Sequence, residues 1–212
     1  MGFTFAALFA DIGKIEQTLN LPKGFIEGLM KDDDWSFIIR SHAVIETMIT
    51  QMLVAKTSEK LSKTFERMQL SGGPVSKLNI AKDLELIDTN IIEVIRYFSK
   101  IRNSFVHSAK NLQASLLEYI KEDGDPEYST ISAKIARLIS ESPDNELIAL
   151  IREQFRDSPK AVLGIVTLYI LGTALFHIDP KERKVAENQT FVGVAILIFF
   201  LLVEIMKSDK EN

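Results

Sequence analysis

Apolar residues recur at spacings of three and four along most of this 212-residue chain, and this spacing restricts its fold more than any other feature. Residues so spaced lie on one face of an α-helix, whereas a strand requires alternation. One such stripe consists of Ile38, His42, Ile45, Ile49 and Met52. No alternation longer than a few residues and no internal repeat is present, so the sequence predicts an all-α protein.

Turn and capping residues divide this pattern into separate helices. Asp34 is a suitable N-cap for a helix that runs to about Lys56, and Ser58 for the next helix. Residues 71–74 (Ser-Gly-Gly-Pro) interrupt the pattern, and Asp88 with Thr89 precedes a long helix. The other predicted helices cover residues 59–68, 76–87, 112–120, 131–139, 146–155 and 161–178.

Composition narrows the class of protein. The chain has no cysteine, which suits a reducing cytosol and excludes thiolate zinc sites and cysteine nucleophiles. Its net charge of -4 gives no general attraction to nucleic acid, although it is compatible with a local basic groove. Residues 1–10 are apolar without a preceding Lys or Arg, which does not match a signal peptide. We therefore predict a cytoplasmic protein with no cofactor.

Two apolar segments near the C-terminus define the predicted organisation. Residues 161–178 carry no Asp, Glu, Lys or Arg, and residues 191–203 are apolar on every helical face. A helix of that second kind is either fully buried or in lipid. We expect burial, with membrane association through 191–206 as the alternative. The predicted units are a docking segment (1–33), a helical domain (34–178), and a charged loop followed by an extra apolar C-terminal helix (179–212).

A charged residue interrupts the stripe of the helix that follows Thr89. That stripe consists of Ile91, Ile95, Phe98, Arg102 and Phe105. A guanidinium among apolar side chains costs several kcal/mol unless it is hydrogen-bonded or faces a wet cleft. Glu46, at the rim of the first stripe, is the partner that we predict for Arg102.

His107 follows Arg102 by five residues. At about 100° per residue, the two side chains point about 140° apart on a straight helix. Either the helix ends between these residues, or the pair meets its counterpart from a second chain.

Arg102, Asn103 and His107 match the Arg-Asn-x-x-x-His signature of HEPN domains, and the chain resembles that family. Residues 73–78 and 83–87, together with 41–46, are similar to the segments that accompany this signature in the mannitol operon repressor-like branch. The resemblance covers residues 34–178. It implies an all-α, HEPN-like helical bundle that forms a homodimer, with two copies of the motif lining one cleft.

The resemblance also implies a reaction. HEPN ribonucleases cut RNA without a metal, because the ribose 2′-hydroxyl attacks the adjacent phosphate and leaves a 2′,3′-cyclic phosphate. Histidine has the near-neutral pKa that proton transfer needs, and the planar fork of arginine suits phosphoryl oxygens. Asn103 would donate a further hydrogen bond. The expected protein is a toxin- or defence-like endoribonuclease, with RNA and a cognate antitoxin or regulatory protein as partners.

Other interpretations remain open. Arg102 could pair with a buried glutamate at a helix end while His107 interacts with the helix dipole, which would give both a structural role. A second function is that of a non-catalytic regulator that uses the same cleft to bind RNA or a protein partner. A third reading is a membrane-anchored accessory protein. Residues 131–139 and 147–155 form a weak helix-turn-helix pattern, but acidic residues there argue against DNA as a partner. His42 and Glu46 lack a third metal ligand in the pattern, so we predict a core histidine and no metal site.

Overall fold

The computed structural model describes residues 5–107, 115–122, 126–140 and 142–178. Every regular element within these ranges is helical, which confirms the all-α class. A short 3₁₀ turn (Glu59–Leu61) precedes the fourth α-helix. The α-helices are α1 (Phe5–Thr18), α2 (Phe25–Leu29), α3 (Asp34–Lys56), α4 (Ser62–Arg67), α5 (Lys77–Asp83), α6 (Thr89–His107), α7 (Leu116–Glu122), α8 (Pro126–Ile139), α9 (Asn145–Asp157) and α10 (Pro159–Ile178).

Helix α3 forms the centre of the bundle. It packs along α10 and also contacts α2, α4, α5 and α6. The apolar members of its predicted stripe, Ile38, Ile45, Ile49 and Met52, are fully buried. Burying four such side chains contributes on the order of 6–12 kcal/mol of gross stabilisation, at about 1.5–3 kcal/mol each. The stripe predicted from sequence is therefore the axis of the core.

The start of α3 differs by one residue from the prediction. Asp33, rather than Asp34, is the N-cap, with Oδ1 accepting a hydrogen bond from the Ser36 amide at 2.9 Å. An N-cap residue needs extended backbone angles, and Asp33 has φ -62° and ψ 165°. Asp34 instead accepts a hydrogen bond from the Leu116 amide at 2.8 Å, which ties α3 to α7. Ser58 caps its helix as predicted, and Ser76, predicted as the first residue of a helix, is instead the N-cap of α5.

Other helix boundaries also needed correction. Helix α5 ends at Asp83 rather than at residue 87, and Glu85 follows with φ 54°, a left-handed conformation that cannot continue a helix. Helix α8 begins at Pro126 rather than at residue 131, because proline is well suited to the first helical turn. Helix α10 covers the predicted segment and adds two residues before it.

Helices α1 and α2 join the same core. Ile15 and Leu29 are 2% and 3% exposed within it. Glu16, a buried carboxylate, accepts hydrogen bonds from the amides of Gly24 and Ile26 at 3.0 and 2.9 Å. Gly24 has φ 81°, which favours glycine, and it precedes α2 directly. A short helix therefore obtains its N-terminal hydrogen bonds from α1 instead of from its own cap.

Two of the described helices, α3 and α10, are long and apolar enough to cross a membrane by length and composition. About two thirds of each apolar window, 61% and 67%, is buried inside the bundle, and core helices of water-soluble proteins meet the same criterion. The predicted extra C-terminal helix, including residues 191–203, lies outside the described residues. So do residues 112–114, the start of the predicted helix 112–120.

Candidate functional site

Helix α6 carries the motif and is continuous from Thr89 to His107. The Asn90 amide donates to Asp88 Oδ1 at 2.7 Å at the helix start. Of the two alternatives above, a helix end between Arg102 and His107 is therefore excluded. The Arg102 and His107 side chains diverge by about 140° around the helix axis.

The buried face of α6 differs from the predicted stripe at one position. It includes Ile91, Ile95, Phe98 and Phe105 as predicted, but Ile101 in place of Arg102. Ile101 is fully buried, whereas Arg102 is half-buried at the edge of this face. The guanidinium thus reaches solvent and does not bear the full cost of burial among apolar groups.

The last turn of α6 presents the three motif residues to solvent. Arg102 Nη1 donates a hydrogen bond to Asn103 Oδ1 at 3.0 Å. Asn103 and His107 are exposed, and four residues apart they share a helix face. Trp35 of α3 donates from Nε1 to the Phe105 carbonyl at 3.3 Å, so the start of α3 holds this turn in place. The arrangement offers one forked cation, one amide and one imidazole at one helix end.

The predicted pairing of Glu46 with Arg102 is wrong. Glu46 Oε1 accepts a hydrogen bond from Lys77 Nζ of α5 at 2.8 Å, and the Lys77 side chain is only 2% exposed. A buried ammonium requires an opposite charge within contact distance, and α5 brings Lys77 against Glu46. Sequence spacing within α3 and α6 contains no information on α5, which explains why this partner was missed.

A second polar contact lies beside this pair, between α3 and α6. His42 Nε2 and Ser99 Oγ are 3.0 Å apart, and Ser99 Oγ donates to the Ile95 carbonyl at 3.0 Å. Burial lowers the pKa of His42 below its usual 6.5, and the positive charges of Arg102 and Lys77 lower this pKa further, whereas Glu46 raises it. His42 is half-buried, whereas the apolar members of its predicted stripe are fully buried.

These contacts place two groups of polar residues next to one another. The α3–α6 groove contains His42, Glu46, Lys77 and Ser99, and the exposed turn contains Arg102, Asn103 and His107. Arg102 connects the two along α6, since it follows Ser99 by three residues and its Nη1 contacts Asn103. Ser99 was not identified from the sequence. Its position three residues before Arg102, which places the two side chains near each other on α6, could have indicated it.

Within the described ranges, no three His, Asp or Glu side chains are grouped so that they could hold a metal ion. The chain was also compared with family models, with curated protein sequences and with solved structures, and none of these comparisons gave a match.

Proposed function

We propose that this chain is a metal-independent endoribonuclease whose site includes Arg102, Asn103 and His107. The observation that supports it is the last turn of α6, where all three side chains reach solvent and Arg102 is hydrogen-bonded to Asn103. The family resemblance of residues 34–178 supports the same ribonuclease function. It also implies that the helical bundle is HEPN-like and belongs to the mannitol operon repressor-like branch. We place this activity in the cytoplasm.

Each residue has a role that suits its chemistry. The planar guanidinium of Arg102 holds two phosphoryl oxygens and stabilises the charge that builds up on them in the transition state. The Asn103 amide orients this guanidinium and donates to the phosphate. Histidine is the residue type best suited to proton transfer, and we assign this role to His107.

We infer that the site is completed by a second copy of the chain. Arg102 and His107 point about 140° apart on a continuous helix, and the family resemblance implies that two copies of the motif line one cleft. A homodimer that pairs two α6 ends across a cleft would supply the missing residue. Light scattering at micromolar concentration should therefore give twice the monomer mass, and a monomer that cleaves RNA would contradict the dimer.

The direct test is incubation of the purified protein with total RNA in EDTA. We expect cleavage that leaves 2′,3′-cyclic phosphate ends, because the ribose hydroxyl is the nucleophile. His107→Ala should reduce the rate by about 10²–10⁴-fold, the value of a well-placed proton-transfer group. His177→Ala, a substitution of a histidine on α10, is the matched control and should leave cleavage unchanged.

A second function is favoured by the net charge of -4. An acidic protein has no general attraction to RNA, and the same exposed turn would serve a regulator that binds RNA or an antitoxin-like protein without cutting. In this case the wild-type protein would bind RNA in a fluorescence anisotropy assay in EDTA, and the RNA would remain intact. Arg102→Ala would weaken that binding.

A further inference from the structure

The contacts of Ser99 favour one tautomer of the histidine beside it. A serine hydroxyl has one hydrogen, and the Ile95 carbonyl, 3.0 Å from Ser99 Oγ, can only accept it. With that hydrogen on Ile95, the Ser99 oxygen accepts from His42 Nε2, 3.0 Å away. We infer that His42 carries its proton on Nε2, which leaves a lone pair on Nδ1 of the neutral ring.

Burial is the main cause that lowers the pKa of His42 and favours this neutral form, and the charged groups around the ring act in both directions. Its own helix contributes Glu46, α5 contributes Lys77 and α6 contributes Arg102. Glu46 is engaged by Lys77 at 2.8 Å, so the carboxylate is shared with another cation. Burial acts in the same direction as the two cations. A neutral imidazole with a free lone pair can accept a proton at pH 7.

Arg102 and His107 point about 140° apart on α6, and the position of His42 offers a different histidine as the partner of Arg102. Ser99 and Arg102 are three residues apart, so they are neighbours on α6. A histidine hydrogen-bonded to Ser99 from the facing helix lies next to the turn that holds Arg102. His107 of the same subunit lies about 140° away around that helix.

We propose that His42 is the proton acceptor that acts with Arg102 within one subunit, on a ribose 2′-hydroxyl next to a phosphodiester. This inference rests on the proposed endoribonuclease function. Arg102 binds the phosphate oxygens, and His42 Nδ1 takes the 2′-hydroxyl proton as the O2′–P bond forms. The P–O5′ bond breaks, and the leaving 5′-oxygen takes a proton from the imidazolium of His107, supplied by the second copy. Ser99 is a positioning residue that fixes the tautomer.

The first measurement is the pH dependence of RNA cleavage in EDTA by the full-length protein. His42→Gln retains an amide donor for Ser99 but cannot accept a proton. We expect its rate to fall by about 10²–10⁴-fold and the acidic limb of the pH profile of kcat/KM to disappear. His177→Gln, the matched control, should retain both. If His42→Gln cleaves within about twofold of wild type while His107→Gln is inactive, the inference is overturned.

The second measurement separates this inference from the endoribonuclease proposal. Long-range ¹H–¹⁵N spectra of the imidazoles report the tautomer directly. We expect His42 protonated on Nε2 alone at pH 7, and Ser99→Ala should change this while leaving His177 unaffected. If wild type cuts no RNA, the endoribonuclease proposal fails. The His42 site then stands only if its signals shift on addition of a ribodinucleotide and not of the 2′-deoxy analogue. A proton on Nδ1, or no shift, overturns the site itself.

Discussion

The groove between α3 and α6 and the exposed last turn of α6 hold polar residues for different reasons. In the groove, Lys77 is 2% exposed and paired with Glu46 at 2.8 Å. In the turn, Asn103 and His107 face solvent. Buried charges must be paired for the chain to fold, whereas an exposed turn would fold with many other residues. We therefore expect substitutions in the groove to lower the stability of the fold, and substitutions in the turn to change it very little.

The largest expected change in stability follows removal of the carboxylate in the groove. Glu46→Ala leaves the buried Lys77 ammonium without its partner and should lower the free energy of unfolding by about 3 kcal/mol. Urea denaturation measures this. Glu93→Ala is the matched control, because Glu93 forms an exposed pair with Arg96 and should cost less than about 1 kcal/mol. Equal losses in the two variants would show that burial does not distinguish these pairs.

A smaller change should follow replacement of both members of the buried pair. Glu46→Leu with Lys77→Met removes the charges together and leaves no unpaired ammonium. Apolar replacement of a buried pair is often neutral, so we expect a net loss of about 1 kcal/mol or less. A double variant as unstable as Glu46→Ala would mean that Glu46 acts through packing and not through its charge.

The dependence of stability on pH is a further expected difference between the groove, which contains His42, and the exposed turn. The folded pKa of His42 lies below its unfolded value of about 6.5, so the unfolded chain binds the proton more readily. The contribution of neutral His42 is complete above pH 6.5 and is lost as the pH falls through the folded pKa. His42→Gln should therefore be less destabilised than wild type between pH 7.5 and 5.5. Parallel melting curves that fall equally over this range would rule out a lowered pKa.

The smallest changes in stability are expected in the exposed turn. Asn103→Ala and His107→Ala remove side chains that contact mainly solvent, and each should alter the free energy of unfolding by about 0.5 kcal/mol or less. Thermal melts measured beside the groove variants would check this. A loss above about 2 kcal/mol would show that the turn has a structural role after all.

Local patterns in the sequence were sufficient to predict much of the fold. The span of α3 and its buried stripe follow from helical spacing, and the serine cap at position 58 follows from a hydrogen bond to the Lys60 amide two residues along the chain. The one-residue error at Asp33 arose because three aspartates are consecutive there, and only backbone angles decide which of them caps the helix.

The site was harder to predict because its contacts join separate helices. Spacing placed Arg102 inside the apolar stripe of α6, whereas Ile101 takes the buried position and Arg102 lies at its edge. The family resemblance, rather than spacing, singled out Arg102, Asn103 and His107, and their role stays a prediction. The partner of Glu46 depended on where α5 packs, and the bond between His42 and Ser99 spans 57 residues of chain. Pairings of this kind follow from tertiary packing, on which helical periodicity gives no information.

The most direct test of the central claim compares two conservative substitutions on the same helix. Arg102→Lys and Arg96→Lys each keep the charge and lose the planar fork. Arg96 contacts Glu93 and Asn79 on the exposed side of α6. Cleavage of total RNA in EDTA is measured for both variants. We predict that Arg102→Lys loses at least about 10²-fold in rate, the scale of removing one transition-state donor, while Arg96→Lys matches wild type. Equal cleavage by the two variants would contradict a phosphate-binding role for Arg102.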